Sequence, residues 1–168
     1  MSVVEALFPR ALFGRAGLVG LAAAVILVIV WIVQIAGYAP CDLCLIERYA
    51  YYAAVPVAAV TAWLAWAGKP GWARAGLAIL ALIFLANAVF SFYHFGVEQK
   101  WWEGPAACTG ALAGTVDLSD LAKAVNSSAV VRCDEPALRV LGFSLAAWDV
   151  VASAALALYA GFAARLAR

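Results

Sequence analysis

Four cysteines are the residues most able to do chemistry in this chain: Cys41, Cys44, Cys108 and Cys133. They divide into Cys41/Cys44, close in sequence, and Cys108/Cys133, far apart in one long segment. An even number suits two disulfides, as expected where the surroundings are oxidising. Cys41-Asp42-Leu43-Cys44 is a C-x-x-C at the junction of a short polar segment and a long apolar run. Two intervening residues allow a small, reducible ring that removes little chain entropy, so a redox role suits it better than a structural one. Cys108–Cys133 alone would serve equally as a staple. A cysteine at a helix N-terminus gains from the positive end of the helix dipole, which favours thiolate. Pro40 stiffens the approach, and Arg48 lies one helical turn after Cys44 on the same face. A guanidinium at membrane depth is costly and usually functional, here for a thiolate or a reduced, anionic quinone. Glu47 is either its partner or an interfacial charge. Zinc usually takes two close pairs, and Cys108 with Cys133 is not one, so no metal is expected. A c-type haem needs C-x-x-C-H, and residue 45 is Leu.

The elements that must position these groups are membrane helices. The 168 residues are 67% hydrophobic and 12% charged, against roughly half and about a quarter in soluble domains. Too few charges remain to cover a globule, and the apolar surplus lies in long runs. The runs cover 16–36 (with Gln34), 45–67, 72–93 (with Asn87) and 141–164 (with Asp149). Each is long enough to cross a hydrocarbon core of about 30 Å at about 1.5 Å per residue. The expected fold is an all-α integral membrane protein, one domain over 1–168. It is a four-transmembrane-helix bundle with outer loops at 37–44 and 94–140, antiparallel because its first two connections are short. The first run is too long for a signal h-region and lacks a small-residue cleavage site, so it is expected to remain as a helix. Arg10, Arg15, Lys69, Arg74, Arg165 and Arg168 fall on one side, with Glu5 as its acid. The opposite loop from 94 to 140 carries Glu98, Glu103, Asp117, Asp120, Asp134 and Glu135 against Lys100, Lys123, Arg132 and Arg139. The positive-inside rule then puts both termini in the cytoplasm and both cysteine loops outside. The dispersed bases give no footprint for nucleic acid.

Within the long loop, Trp101 and Trp102 suit the headgroup level. Leu112, Val116, Leu118, Leu121, Ala122 and Val125 recur at helical spacing around Asp117, Asp120 and Lys123, with Ser119 as a candidate cap. They predict a short amphipathic helix, lying in the membrane interface or packing on the bundle as a solvated helix. Asn126-Ser127-Ser128 matches a glycosylation sequon, a pattern common by chance.

With these residues in place, the chain resembles the disulfide bond formation protein B (DsbB) family over nearly its whole length. The resemblance rests on Pro40 through Tyr49, His94 with Glu98, and Gly104-Pro105 before Cys108. It continues through Cys133-Asp134-Glu135-Pro136, then Gly142 through Ala146 and Trp148. A lone C-x-x-C is weak; this ordered set is strong. The resemblance implies an inner-membrane thiol oxidase that reoxidises a periplasmic thioredoxin-like partner of the DsbA type and passes electrons to ubiquinone or menaquinone, the route by which this family keeps the bacterial periplasm oxidised. It implies that Cys44 is the quinone-proximal sulfur and that Arg48 holds the quinone. Cys41 would exchange with Cys133, and Cys108 would accept attack from the partner. It places His94 near the quinone, the alternative being an interfacial histidine at the end of the third span. Glu98 would orient His94 or be plain loop charge, and the latter is favoured. Two departures stand out: Pro136-Ala137-Leu138 where the family often has Trp, and Asp149 where Asn commonly follows the Trp of the fourth span. Neither is expected to touch the thiol chemistry.

A strongly oxidising disulfide is hard to regenerate with an ordinary one, since each 30 mV uphill costs about 1.4 kcal/mol for two electrons. A respiratory quinone supplies the pull, and the lipid boundary is where quinone and thiols meet. Three rivals remain. A reductase resembling vitamin K epoxide reductase would carry its C-x-x-C near the last span, whereas here it comes first. A scaffold would use both disulfides only as staples. A branch of the same family would serve one dedicated partner.

Overall fold

The computed structural model describes residues 3–105, 108 and 131–166, and side chains from residue 11 onward. The expected 112–125 helix and the sequon lie outside the described residues. The described elements are α1 (Val3–Ile35), α2 (Asp42–Trp66), α3 (Pro70–Glu98), β1 (Arg139–Val140), β2 (Phe143–Ser144) and α4 (Leu145–Leu166). All four helices are long and apolar enough to cross a membrane, over Ala11–Ile35, Asp42–Trp66, Pro70–Glu98 and Leu145–Leu166. The chain is an all-α four-helix membrane bundle, as its apolar runs imply.

Lipid offers no hydrophobic drive between helices, so they associate through close packing of small residues. On α1 the buried positions Leu12, Ala16, Val19 and Ala23 recur at helical spacing, and on α2 so do Ala54, Ala58, Ala62 and Ala65. Gly20 lets α1 approach closely: a Cβ there would stand 2.9 Å from that of Ala58. α3 packs most extensively on α4, and α1 on α2. Leu77, Leu80 and Phe84 of α3 meet Ala157, Ala160 and Ala163 of α4 in the core.

The helices overrun the apolar runs at the end that carries the cysteines. α2 begins at Asp42 and α3 continues to Glu98, which places the C-x-x-C and His94 on helical frames. At the other end, Gly68 (φ 71°) closes α2 in the left-handed region and Pro70 opens α3 within its first turn. The fourth span is expected from residue 141, yet the helix starts at Leu145 and residues 139–144 form an antiparallel hairpin pairing Arg139 with Ser144 and Val140 with Phe143. Its two-residue turn, Leu141-Gly142, has φ of 53° and 87°, the double left-handed geometry that matches strand twist. Ser144 then caps α4, its Oγ accepting from Ala147 N at 3.2 Å.

Candidate redox-active site

Cys41 is the N-cap of α2. Its backbone is extended (φ −76°, ψ 169°), and its Sγ accepts from Cys44 N at 3.2 Å. Cys41 and Cys44 form a disulfide with Cα atoms 5.1 Å apart. One helix end thus carries both sulfurs, at the positive end of its dipole. α3 brings His94 to the same place: Nε2 lies 3.6 Å from Cys41 Sγ, and Nδ1 lies 2.8 Å from Glu47 Oε1. His94 and Glu47 are both buried. Sulfur, imidazole and carboxylate therefore stand in line, an arrangement suited to moving a proton to or from Cys41.

Glu47 is thus the partner of His94, not of Arg48. Arg48 instead donates from Nη1 to Gln34 Oε1 of α1 at 2.6 Å, and its Cζ lies 6.0 Å from the Trp31 ring centroid. Trp31 is fixed by Nε1 donating to Tyr52 Oη at 2.9 Å. The pairs Trp31/Gln34 and Arg48/Tyr52, three and four residues apart on facing helices, lock the guanidinium in place, and Gln34 takes only one of its five donors.

Cys44, Arg48, His94, Glu98 and Asp149 line one cavity, with Ile26 and Val30 of α1 as its apolar wall. Glu98 is not plain loop charge: it ends α3, approaches the Ser144 hydroxyl, and keeps Oε2 buried with no hydrogen-bond partner among the described residues. Asp149 is not remote from the thiols either. Its carboxylate accepts from Tyr51 Oη, from Asn87 Nδ2 at 3.0 Å and from Ser91 Oγ. Asn87 Nδ2 also donates to Ser153 Oγ at 2.9 Å. This network and the Glu47–His94–Cys41 line meet at the same cavity, which Asp149, Tyr51, Glu47, His94 and Cys41 all line. Pro136, Ala137 and Leu138 border the same cavity.

The second pair is close by. Cys108 and Cys133 form a disulfide with Cα atoms 5.3 Å apart, and Cys133 N donates to Cys108 O at 2.9 Å. Both are buried, and with Cys41 and Leu43 they form one apolar cluster flanked by Phe90, Tyr93, Val131 and Cys44. Next to Cys133, Asp134 is held by Lys100 Nζ and by Arg132 through Nε at 3.0 Å and Nη2 at 2.8 Å. Arg132, then Lys100, keep its carboxyl well below the usual carboxylate range. Trp102 stacks on Tyr93 at 6.0 Å and donates to its carbonyl at 2.8 Å. It lies so close over Gly96 that a Cβ there would overlap the indole.

Against known proteins, residues 14–163 match the family described as "Disulfide bond formation protein DsbB". The chain belongs to the DsbB family. As such it is a membrane disulfide oxidoreductase, and the Cys41–Cys44 pair fits its redox-active site. DsbB proteins as a family use quinones and work with a thiol oxidase partner. The chain is also similar to "Uncharacterized protein RP370" of Rickettsia prowazekii (strain Madrid E), 23% identical over 126 residues, which cover 74% of this chain and 70% of that protein. No solved structure matches. The cavity has what a quinone needs: an apolar wall for its ring and, beside Cys44, Arg48 donors for a ring carbonyl.

The sequence reading missed the Glu47–His94 pair and the Asp149 network. His94 and Glu98 sit four apart at the end of α3, and Glu47 directly precedes Arg48. Nothing local joins one set to the other; the signal was only that polar residues in apolar runs must find each other.

Proposed function

We propose that this DsbB protein reoxidises a periplasmic thioredoxin-like dithiol oxidase of the DsbA type and passes the electrons to ubiquinone or menaquinone in the bacterial inner membrane. The observation that carries this reading is the Cys41–Cys44 disulfide on the α2 N-terminus, sharing one cluster with Cys108–Cys133 and one cavity with Arg48. The basic flanks support a topology with both termini in the cytoplasm and the cysteine segments in the periplasm.

Electrons enter at the outer pair. A partner thiolate attacks Cys108 Sγ, breaking Cys108–Cys133 and releasing Cys133 as thiolate. Cys133 attacks Cys41 Sγ, and Cys44 leaves as thiolate. The partner's second thiol resolves its mixed disulfide with Cys108, which leaves as thiolate. Cys108 then attacks Cys133 Sγ, restoring the outer disulfide and leaving Cys41 and Cys44 reduced. The partner has lost two electrons and the inner pair has gained them. His94 Nε2 exchanges the Cys41 proton, with Glu47 fixing the ring. The α2 N-terminus and Arg48 stabilise negative charge at Cys44. Bound quinone supplies the two-electron, two-proton acceptor that returns the inner pair to a disulfide.

The test mixes detergent-purified oxidised protein with excess reduced thioredoxin-like partner and a soluble ubiquinone, and follows loss of quinone absorbance. Catalytic loss that vanishes in Cys44→Ala and in Cys108→Ala supports the relay. Normal quinone reduction by Cys44→Ala refutes it.

A further inference from the structure

Reduction of the inner pair exposes chemistry that the disulfide hides. Cys41 Sγ, Cys44 Sγ and a His94 ring nitrogen already lie within 4.8 Å of one another. The His94 Nε2 to Cys41 Sγ distance is 3.6 Å. In a tetrahedral zinc site, with metal–sulfur about 2.3 Å and metal–nitrogen about 2.0 Å, sulfur and nitrogen ligands stand about 3.5 Å apart. C-x-x-C on a turn entering a helix is also a common zinc half-site. The ring is oriented as metal-ligating histidines are: Nδ1 is held by a buried carboxylate, Glu47 Oε1 at 2.8 Å, which leaves Nε2 toward the sulfurs. Ligation requires the neutral ring, with its proton on Nδ1 toward Glu47 and Nε2 free.

We propose that the reduced protein binds one thiophilic divalent cation, zinc or cadmium, through Cys41, Cys44 and His94, with Glu47 as the positioning residue. The fourth coordination position faces the cavity. Binding converts two thiols to thiolates, releases their protons and moves no electrons. While the metal is bound, both sulfurs donate to it and cannot close into a disulfide. The cation therefore arrests only the reduced state, a restraint that the oxidised protein does not feel. This site differs from a four-cysteine zinc site, because Cys108 and Cys133 take no part. It requires only chemical reduction of the inner pair and is independent of any quinone.

The experiment uses full-length protein carrying Cys108→Ser and Cys133→Ser, which leaves the inner pair as the sole cysteines. Reduced protein, freed of reductant without air, is titrated with cadmium while thiolate-to-metal absorbance is followed, and with zinc against a chromophoric chelator. One metal per chain is expected when reduced and none when oxidised. His94→Ala should weaken zinc binding at least tenfold, and Glu47→Gln by about 10–100-fold. Zinc-loaded protein should resist reoxidation by a small disulfide until a chelator is added. The helical circular dichroism and a monodisperse elution matching the parent protein check that each variant is folded. Equal affinity in the reduced His94→Ala variant would reduce the site to a plain dithiol chelate and overturn the proposal. So would binding to the oxidised protein, or no binding at all.

Discussion

The two cysteine pairs have nearly the same span, 5.1 and 5.3 Å between Cα atoms, and almost nothing else in common. Cys41–Cys44 closes a ring over two intervening residues on a helix end, beside a buried imidazole and carboxylate. Cys108–Cys133 joins residues 25 apart in sequence, next to Asp134, whose cationic partners Lys100 and Arg132 are well exposed. Loop-closure entropy gives the longer ring roughly 3 kcal/mol or more and the shorter one markedly less. The surroundings compensate in the opposite sense: the ring that stabilises least has the groups that control protons and charge. The inner pair is built for reactivity, whereas the outer pair, in the proposed route, combines a staple with a relay.

Substitution can break that contrast. The largest effect is expected from replacing the inner pair: Cys41→Ser with Cys44→Ser should bring quinone reduction to background with every thiol donor. Replacing the outer pair should separate the donors. Cys108→Ser with Cys133→Ser should stop oxidation of a protein partner yet retain quinone reduction driven by a small dithiol, because the inner ring opens on the cavity. Parallel assays with both donors check this, and equal loss with both would erase the distinction. Next comes His94→Ala, which removes the proton carrier from Cys41 and should slow turnover by about 10²–10⁴-fold, with Cys108–Cys133 exchange measured alone unchanged. Arg48→Met deletes a charged donor worth about 1.5–3 kcal/mol. It should raise the quinone KM roughly ten- to hundredfold while leaving partner oxidation in a single turnover intact.

The smallest effect belongs to the outer pair's ion cluster. Asp134→Asn should cost no more than about 1 kcal/mol, because its partners are solvated. The sign with pH follows from a carboxyl held below its ordinary value. Its contribution is fully present above the unfolded value of about 3.9 and is lost as pH falls below that. Unfolding of wild type and Asp134→Asn should differ at neutral pH and converge in acid.

How much of this was legible before the structure also differs between regions. Four apolar runs of membrane length sufficed for the bundle, because lipid leaves the backbone few alternatives. C-x-x-C and Arg48 were legible because their relation is local, a helix end and one turn. Glu47 and His94 were visible as residues but not as a pair, since 47 positions separate them and only the packing of α2 on α3 joins them. Asp149 was marked as a departure, yet its link to the site needed Tyr51, Asn87 and Ser91 from two other helices. The hairpin at 139–144 was hidden because Val140, Leu141 and Phe143 continue the hydropathy of the span that follows. Period and length separate strand from helix poorly over six residues.

The cap of α2 has one more consequence. The sulfur that accepts the Cys44 amide is the same sulfur that gains and loses electrons, so this helix end is a redox gauge. A thiolate accepts that hydrogen bond more strongly than a disulfide sulfur, and the exchange rate of the Cys44 amide proton should fall when the inner pair is reduced. A single backbone signal then reads out how full the electron store is, without quinone, partner or any colour change.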